Sequence, residues 1–163
     1  MYKMGQIIQE MIHYESGVPN RINHFLKVYG FAKAIAEQEG VDSKTQHILE
    51  VTAVMHDIGI RISIEKYNSS LGHYQEIEGP PKAREILESY GFDNRFIDRV
   101  CFLIAHHHSY DNIEGIDYQI LVEVDFLVNI YENKMEKDQI NAIKSKIFKT
   151  KTGQDYLERM FLQ

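Results

Sequence analysis

Apolar residues recur along this chain at helical spacing, and no stretch alternates in the in–out manner of a strand. His24, Val28, Phe31 and Ile35 share one face, which predicts a helix capped by Asn20, running to about Glu39 and ended by Gly40. Ser43 followed by Gln46 reads as a capping box for a second helix, with Leu49, Ala53 and His56 turned inward and Gly59 as its stop. Residues 60–78 lack a clean period and contain Asn68, Ser69, Ser70 and Gly72, which predicts a long loop of the kind used as a lid. Pro80 and Pro81 suit the first turn of a helix reaching about Tyr90, before Gly91. Asp93 caps a helix through Phe96, Val100, Leu103 and His106, and Asp117 caps another from Ile120 to about Asn133. Two amphipathic helices follow, Asp138 to Lys149 and Thr152 to Phe161.

The expectation is an all-α bundle, one domain over residues 1–163. Its 44% hydrophobic content and 3 prolines suffice for a real core. The formal charge of -6, from 18 Lys+Arg against 24 Asp+Glu, argues against general nucleic-acid binding. The segment Lys134 to Lys151 holds six Lys and two acids, which reads as a solvated helix face. No apolar run approaches the roughly 18 residues of a membrane span, and Met1 to Gln6 lacks a signal pattern. Cys101 is the one cysteine, so no internal disulfide forms; a packing role and a reducing cytoplasm are expected. Phe148, Tyr156, Met160 and Phe161 read as core or as a partner surface, leaving a homodimer open.

Eight histidines are the unusual feature. Asp125 stands between Leu121 and Val128 on an apolar helix face, and a carboxylate taken out of water there needs a cation, either Arg, Lys or a metal. His24 sits on a similar face, where an ordinary buried histidine is the alternative to a ligand. His56-Asp57 closes an apolar helix. Adjacent helical residues diverge by about 100°, so both reach one ion only near the helix end, where the dipole also favours a cation. Imidazole with carboxylate suits Fe, Mn, Zn, Co or Ni. His106, His107 and His108 end another helix, either as a polar terminus or as ligands. Four helices thus bring a His or a carboxylate to an apolar face, the way helical bundles build metal sites.

The order His24, His56-Asp57-Ile58-Gly59, and Asp125 within Val124-Asp125-Phe126-Leu127-Val128 resembles the HD family of metal-dependent phosphohydrolases, over roughly residues 20–132. The resemblance implies an α-helical core in which His24, His56, Asp57 and Asp125 hold a divalent transition metal. Many relatives bind a second metal through two further histidines. The stretch Gln75 to Ala83 resembles the segment that begins with such a histidine, and the matching position is read as Glu78. A second ion held by Glu78, His106 and His107 is therefore open, with His73 as a substitute in a loop. One or two ions remain alternatives.

Arg21 lies one turn before His24, Arg61 follows the His-Asp-Ile-Gly turn where many relatives have Lys, and Lys66 stands further on. These cations are the candidates for binding a phosphate, whose charge spreads over several oxygens during transfer; each is otherwise an ordinary surface charge. Some relatives carry an acid one turn after the His-Asp pair, where this chain has Ile60, so Asp57 or Glu78 is left to serve as base. The resemblance implies hydrolysis of a phosphate ester, nucleotides included, by a metal-activated water with Asp57 and Arg61 in catalytic roles. A di-iron oxygenase and a non-catalytic metal- and nucleotide-binding regulatory module are the alternatives, which fold likeness does not separate.

Overall fold

The computed structural model of the chain describes residues 4–163, which form nine α-helices. These are α1 (Met4–Tyr14), α2 (Pro19–Gln38), α3 (Ser43–Met55), α4 (Gly59–Tyr67), α5 (Gly72–Ser89), α6 (Asn94–His106), α7 (Ile116–Glu132), α8 (Lys137–Ile147) and α9 (Lys151–Phe161). The expected all-α, single-domain architecture is what the chain adopts, with no strand among the described residues. The N-terminal reading at Met1–Lys3 lies outside them. No helix among the described residues is long and apolar enough to cross a membrane.

Two helices form the middle of the bundle. Every residue from Ile48 to His56 of α3 and its end, and from Ile120 to Asp125 of α7, is buried, so both stretches are covered on all faces. Helix α2 packs on α3 and α7, α6 packs on α3, and α1, α8 and α9 close the outside. A helix apolar all round belongs at the centre of a bundle, and the polar residues buried there, Glu50, Thr52, His56, Glu123 and Asp125, therefore stand out.

Several boundaries differ from the sequence expectation, each for a local reason. Pro19, already set at a helical φ, occupies the first turn of α2 behind Val18, so Asn20 lies inside the helix and makes no cap. The cap of α3 is Asp42, whose carboxylate accepts from the Lys44 and Thr45 amides at 3.1 and 3.0 Å; Gln46 instead donates to Glu50. Asp117 does not cap α7, because Arg99 takes its carboxylate through Nε and Nη2 at 2.9 and 2.6 Å. Asp93 caps α6 as expected, accepting from the Phe96 amide at 3.0 Å.

The largest departure is the segment read as a loop. Residues 60–78 are helical apart from a short connection, and Gly59 opens α4 rather than ending α3. The buried face of α5 is Gln75, Gly79, Ala83, Ile86 and Leu87. Its period is helical, but Gln and Gly carry the first half, so hydrophobicity hides it. Pro80 and Pro81 stand inside α5, where they withhold the amide bonds that would reach Glu76 and Ile77. Glycine sets the crossings: a Cβ on Gly59 would lie 2.5 Å from the Gln75 carbonyl oxygen, and one on Gly79 would lie 2.8 Å from Ile104 Cγ2. Helices α4, α5 and α6 can stack this closely only because those positions lack a side chain.

Candidate metal centre

Four polar side chains from three helices meet inside the bundle. His24 projects from the second turn of α2, Asp125 from α7, and His56 and Asp57 from the turn that ends α3. That turn is tight, with Ile58 N bonded to Met55 O and Ile60 N to Asp57 O, and it swings the two adjacent side chains toward one point. His24 Nε2 lies 3.2 Å from His56 Nε2, 3.1 Å from Asp125 Oδ1 and 3.3 Å from Asp57 Oδ2. His56 Nε2 lies 3.2 Å from Asp57 Oδ2 and 3.4 Å from Asp125 Oδ1.

The far side of each ring fixes its chemistry. His56 Nδ1 donates to Ala53 O at 2.8 Å, and His24 Nδ1 faces Glu132 Oε1 at 2.8 Å. Each Nδ1 therefore carries the hydrogen, a tautomer assigned from its acceptor. Both Nε2 atoms then present lone pairs to one another and to two carboxylate oxygens. Four electron-pair donors converging in a buried space require a cation between them. This mixed nitrogen and oxygen set fits a divalent Mn, Fe, Co, Ni or Zn ion, and His24, His56 and Asp57 place ligand atoms within 4.8 Å of one another.

A second group shares Asp57. Asp57, His107 and His108 also bring ligand atoms within 4.8 Å of one another. Asp57 turns Oδ2 to His24 and His56, and Oδ1 to His107 Nε2 at 3.4 Å. His107 Nδ1 donates to Ile104 O at 2.6 Å, which leaves its Nε2 a buried lone pair with no hydrogen-bond donor. His108 Nε2 lies 3.2 Å from Gln75 Oε1, and its ring backs onto Gly72, where a Cβ would come within 2.9 Å. Asp57 is thus one carboxylate between two clusters of nitrogen donors.

Charge follows the geometry. Burial works to raise the Asp57 and Asp125 pKa values, but His56 beside Asp57, and the His24 and His56 hydrogen bonds to Asp125, hold both below the usual carboxylate range. Burial works against protonated His24 and His56 too, and the neighbouring carboxylates outweigh it, so both are raised. Two anions at the centre attract positive charge, whether proton or metal. His108 is the opposite case: burial, then repulsion from His107, pushes it down to about 4.

The other residues singled out in the sequence lie as follows. His106 is in neither cluster; its Nδ1 bonds Phe102 O at 2.7 Å and its ring stacks on Phe102. Glu78 accepts from Lys66 Nζ at 2.9 Å and Tyr67 Oη at 2.8 Å, also outside the clusters. His73 lies in the first turn of α5 beside Tyr74. Arg21 and Arg61 come together on the buried Glu15, whose Oε2 is 2.7 Å from Arg21 Nε and 3.6 Å from Arg61 Nη2. Tyr14 joins them to the metal-site turn: its hydroxyl donates to Ile58 O at 3.2 Å, and Arg61 and Lys82 lie near its ring.

One participant was not singled out beforehand, and another was left open. His108 stood in a run of three histidines, and only the position where α6 ends decides which of them turn inward. Glu132 lies seven residues after Asp125 and so on the same face of α7, a spacing that marks it once Asp125 is known to point inward. Helix α1, which carries Tyr14, left no expectation at all.

A comparison with curated protein sequences gave no match. Among solved structures, a predicted HD superfamily hydrolase from an uncultured Thermotogales bacterium has the same fold, with a TM-score of 0.66, 23% identity, and coverage of 96% of this chain and 82% of that one. The HD domain family pattern matches residues 21–150, which takes in all four converging side chains and both clusters. This chain belongs to the HD domain family.

Proposed function

We propose that the protein is a metal-dependent phosphohydrolase that cleaves a small phosphate ester, with nucleotides as the first class to try. The observation that carries this reading is the bridging position of Asp57, whose two oxygens face different groups of histidine nitrogens. His24, His56, Asp57 and Asp125 would hold one ion, and Asp57, His107 and His108 a second. A bound divalent ion supplies a Lewis acid for the phosphoryl oxygen and a water acidic enough to attack at neutral pH.

The chain's own residues do the rest. Asp57, kept anionic, orients the donors on both sides of it. Arg21 and Arg61, drawn together on Glu15 just past the end of α1, receive the phosphate and stabilise charge as it builds on its oxygens. Lys66 reaches a substrate by leaving Glu78, an exposed pair that costs little to open. Glu78 and His106 join a second ion only by giving up their present partners. The lone Cys101 supports a reducing cytoplasm, and the exposed Tyr131 and Met160 offer a surface for a homodimer.

The test is phosphate release from nucleotides and simple esters by protein loaded in turn with Mn, Co, Ni, Zn or Fe, with Asp57→Ala as control. Metal-dependent release that the substitution abolishes supports hydrolysis. Full metal occupancy with no release from any ester overturns it; iron-dependent oxygen consumption would then point to an oxygenase, and ligand binding without product to a regulatory module.

A further inference from the structure

Among the histidines that converge on the candidate metal centre, His24 is the one backed by a carboxylate. His56 and His107 sit at helix ends and turn Nδ1 back onto a neutral carbonyl of their own helix, Ala53 O and Ile104 O. His24 stands in the second turn of α2, where the neighbouring carbonyls are engaged in the helix ladder. Its Nδ1 partner comes instead from another helix, the carboxylate of Glu132 at 2.8 Å.

Glu132 is an odd residue for its place in α7. It is the last residue of that helix, where the negative end of the dipole disfavours a carboxylate. Its other partner, Lys27 Nζ at 3.2 Å, is a well-exposed side chain, and such surface pairs contribute little. Lys27 nevertheless lies on α2 one turn beyond His24, so its ammonium and the His24 ring meet on the same Glu132 oxygen, Oε1. Helix α7 thus brackets one imidazole, with Asp125 Oδ1 3.1 Å from Nε2 and Glu132 Oε1 on Nδ1.

We propose that Glu132 is the positioning residue of the metal centre: its carboxylate fixes the His24 tautomer with the lone pair on Nε2, holds the ring in register with Asp125, and makes that nitrogen a stronger donor. A carboxylate behind a ligating imidazole raises the basicity of the metal-facing nitrogen more than a neutral carbonyl does. This inference rests on the metal-centre reading above, and it concerns affinity and ligand field before any activity.

The experiment is a Co2+ titration of chelator-treated wild-type protein, Glu132→Ala and Glu132→Gln, followed by the visible bands of the bound ion and by equilibrium dialysis. Glu132→Ala is expected to lose roughly tenfold to a hundredfold in Co2+ affinity with a shifted visible spectrum. Glu132→Gln keeps an accepting oxygen without the charge and should fall between the two. Thermal unfolding of the metal-free forms checks that each variant is folded; if Glu132→Ala is not, Glu132→Gln decides. Wild-type affinity and an unchanged spectrum in the folded variants overturn the role of Glu132 while leaving the metal centre standing. Failure of the wild type itself to bind Co2+ overturns the metal reading instead.

Discussion

Gly59 and Gln75 approach so closely that a β-carbon on the glycine would stand 2.5 Å from the Gln75 carbonyl oxygen. The obstacle is backbone, as is the Gly79 amide nitrogen 2.9 Å from the same point, so no rotamer change relieves it. Gly59→Ala must push α5 off α4, and overpacking of this kind costs about 1–3 kcal/mol. Urea unfolding of the metal-free protein measures it. Because Gln75 touches His108, the same variant should also weaken binding at the cluster containing His107 and His108; unchanged stability would mean that the crossing is looser than described.

The two oxygens of Asp57 predict unequal effects on metal content. Asp57→Ala removes a donor from both clusters, whereas His107→Ala removes one only from the second. Elemental analysis should therefore show a larger loss for Asp57→Ala than for His107→Ala. Glu78→Ala should leave the content at the wild-type level, since that carboxylate is engaged by Lys66 and Tyr67.

Below pH 6.5, where the gain from the raised His24 and His56 is already complete, acid should destabilise the metal-free protein in two stages. His108 has a folded pKa of about 4 against 6.5 unfolded, so the unfolded chain takes up the proton first. Its contribution is whole above pH 6.5 and is lost as pH falls toward 4. Asp57 and Asp125, lowered in the folded state, add a further loss as pH falls below the ordinary carboxylate range. Denaturation midpoints from pH 8 to pH 4 should fall more steeply for wild type than for His108→Asn; parallel curves would contradict the assignment to His108.

Of the candidate phosphate-binding cations Arg21, Arg61 and Lys66, Arg61 has the longest contacts, with Glu15 at 3.6 Å and the Ser16 carbonyl at 3.4 Å. If it receives the substrate phosphate, Arg61→Ala loses a charged hydrogen bond of about 1.5–3 kcal/mol. Roughly a tenfold to hundredfold fall in kcat/KM is expected, with metal content unchanged. Inorganic phosphate should protect wild type against thermal unfolding and protect Arg61→Ala less.

The order of His24, His56-Asp57 and Asp125, and the apolar faces around them, were readable from the chain because burial of a carboxylate among Leu and Val is conspicuous one residue at a time. The helices built on aliphatic stripes, α2, α3, α6 and α7, were legible for the same reason. Helix α4 and the first half of α5 were not: their buried faces run through Gly59, Ser63, Gln75 and Gly79, and no hydrophobic period signals a helix that packs by backbone contact.

What the chain determined by itself was the class of fold and the residue types able to meet at its centre. Only the packed structure decided which of three successive histidines turn inward, since a helix end displaced by one residue rotates each of them by about 100°. It also decided that Arg21 and Arg61 share Glu15 while Lys66 goes to Glu78. That Glu132 stands behind His24 was likewise settled in space: the two are 108 residues apart, and only the crossing of α2 and α7 puts one carboxylate against one nitrogen.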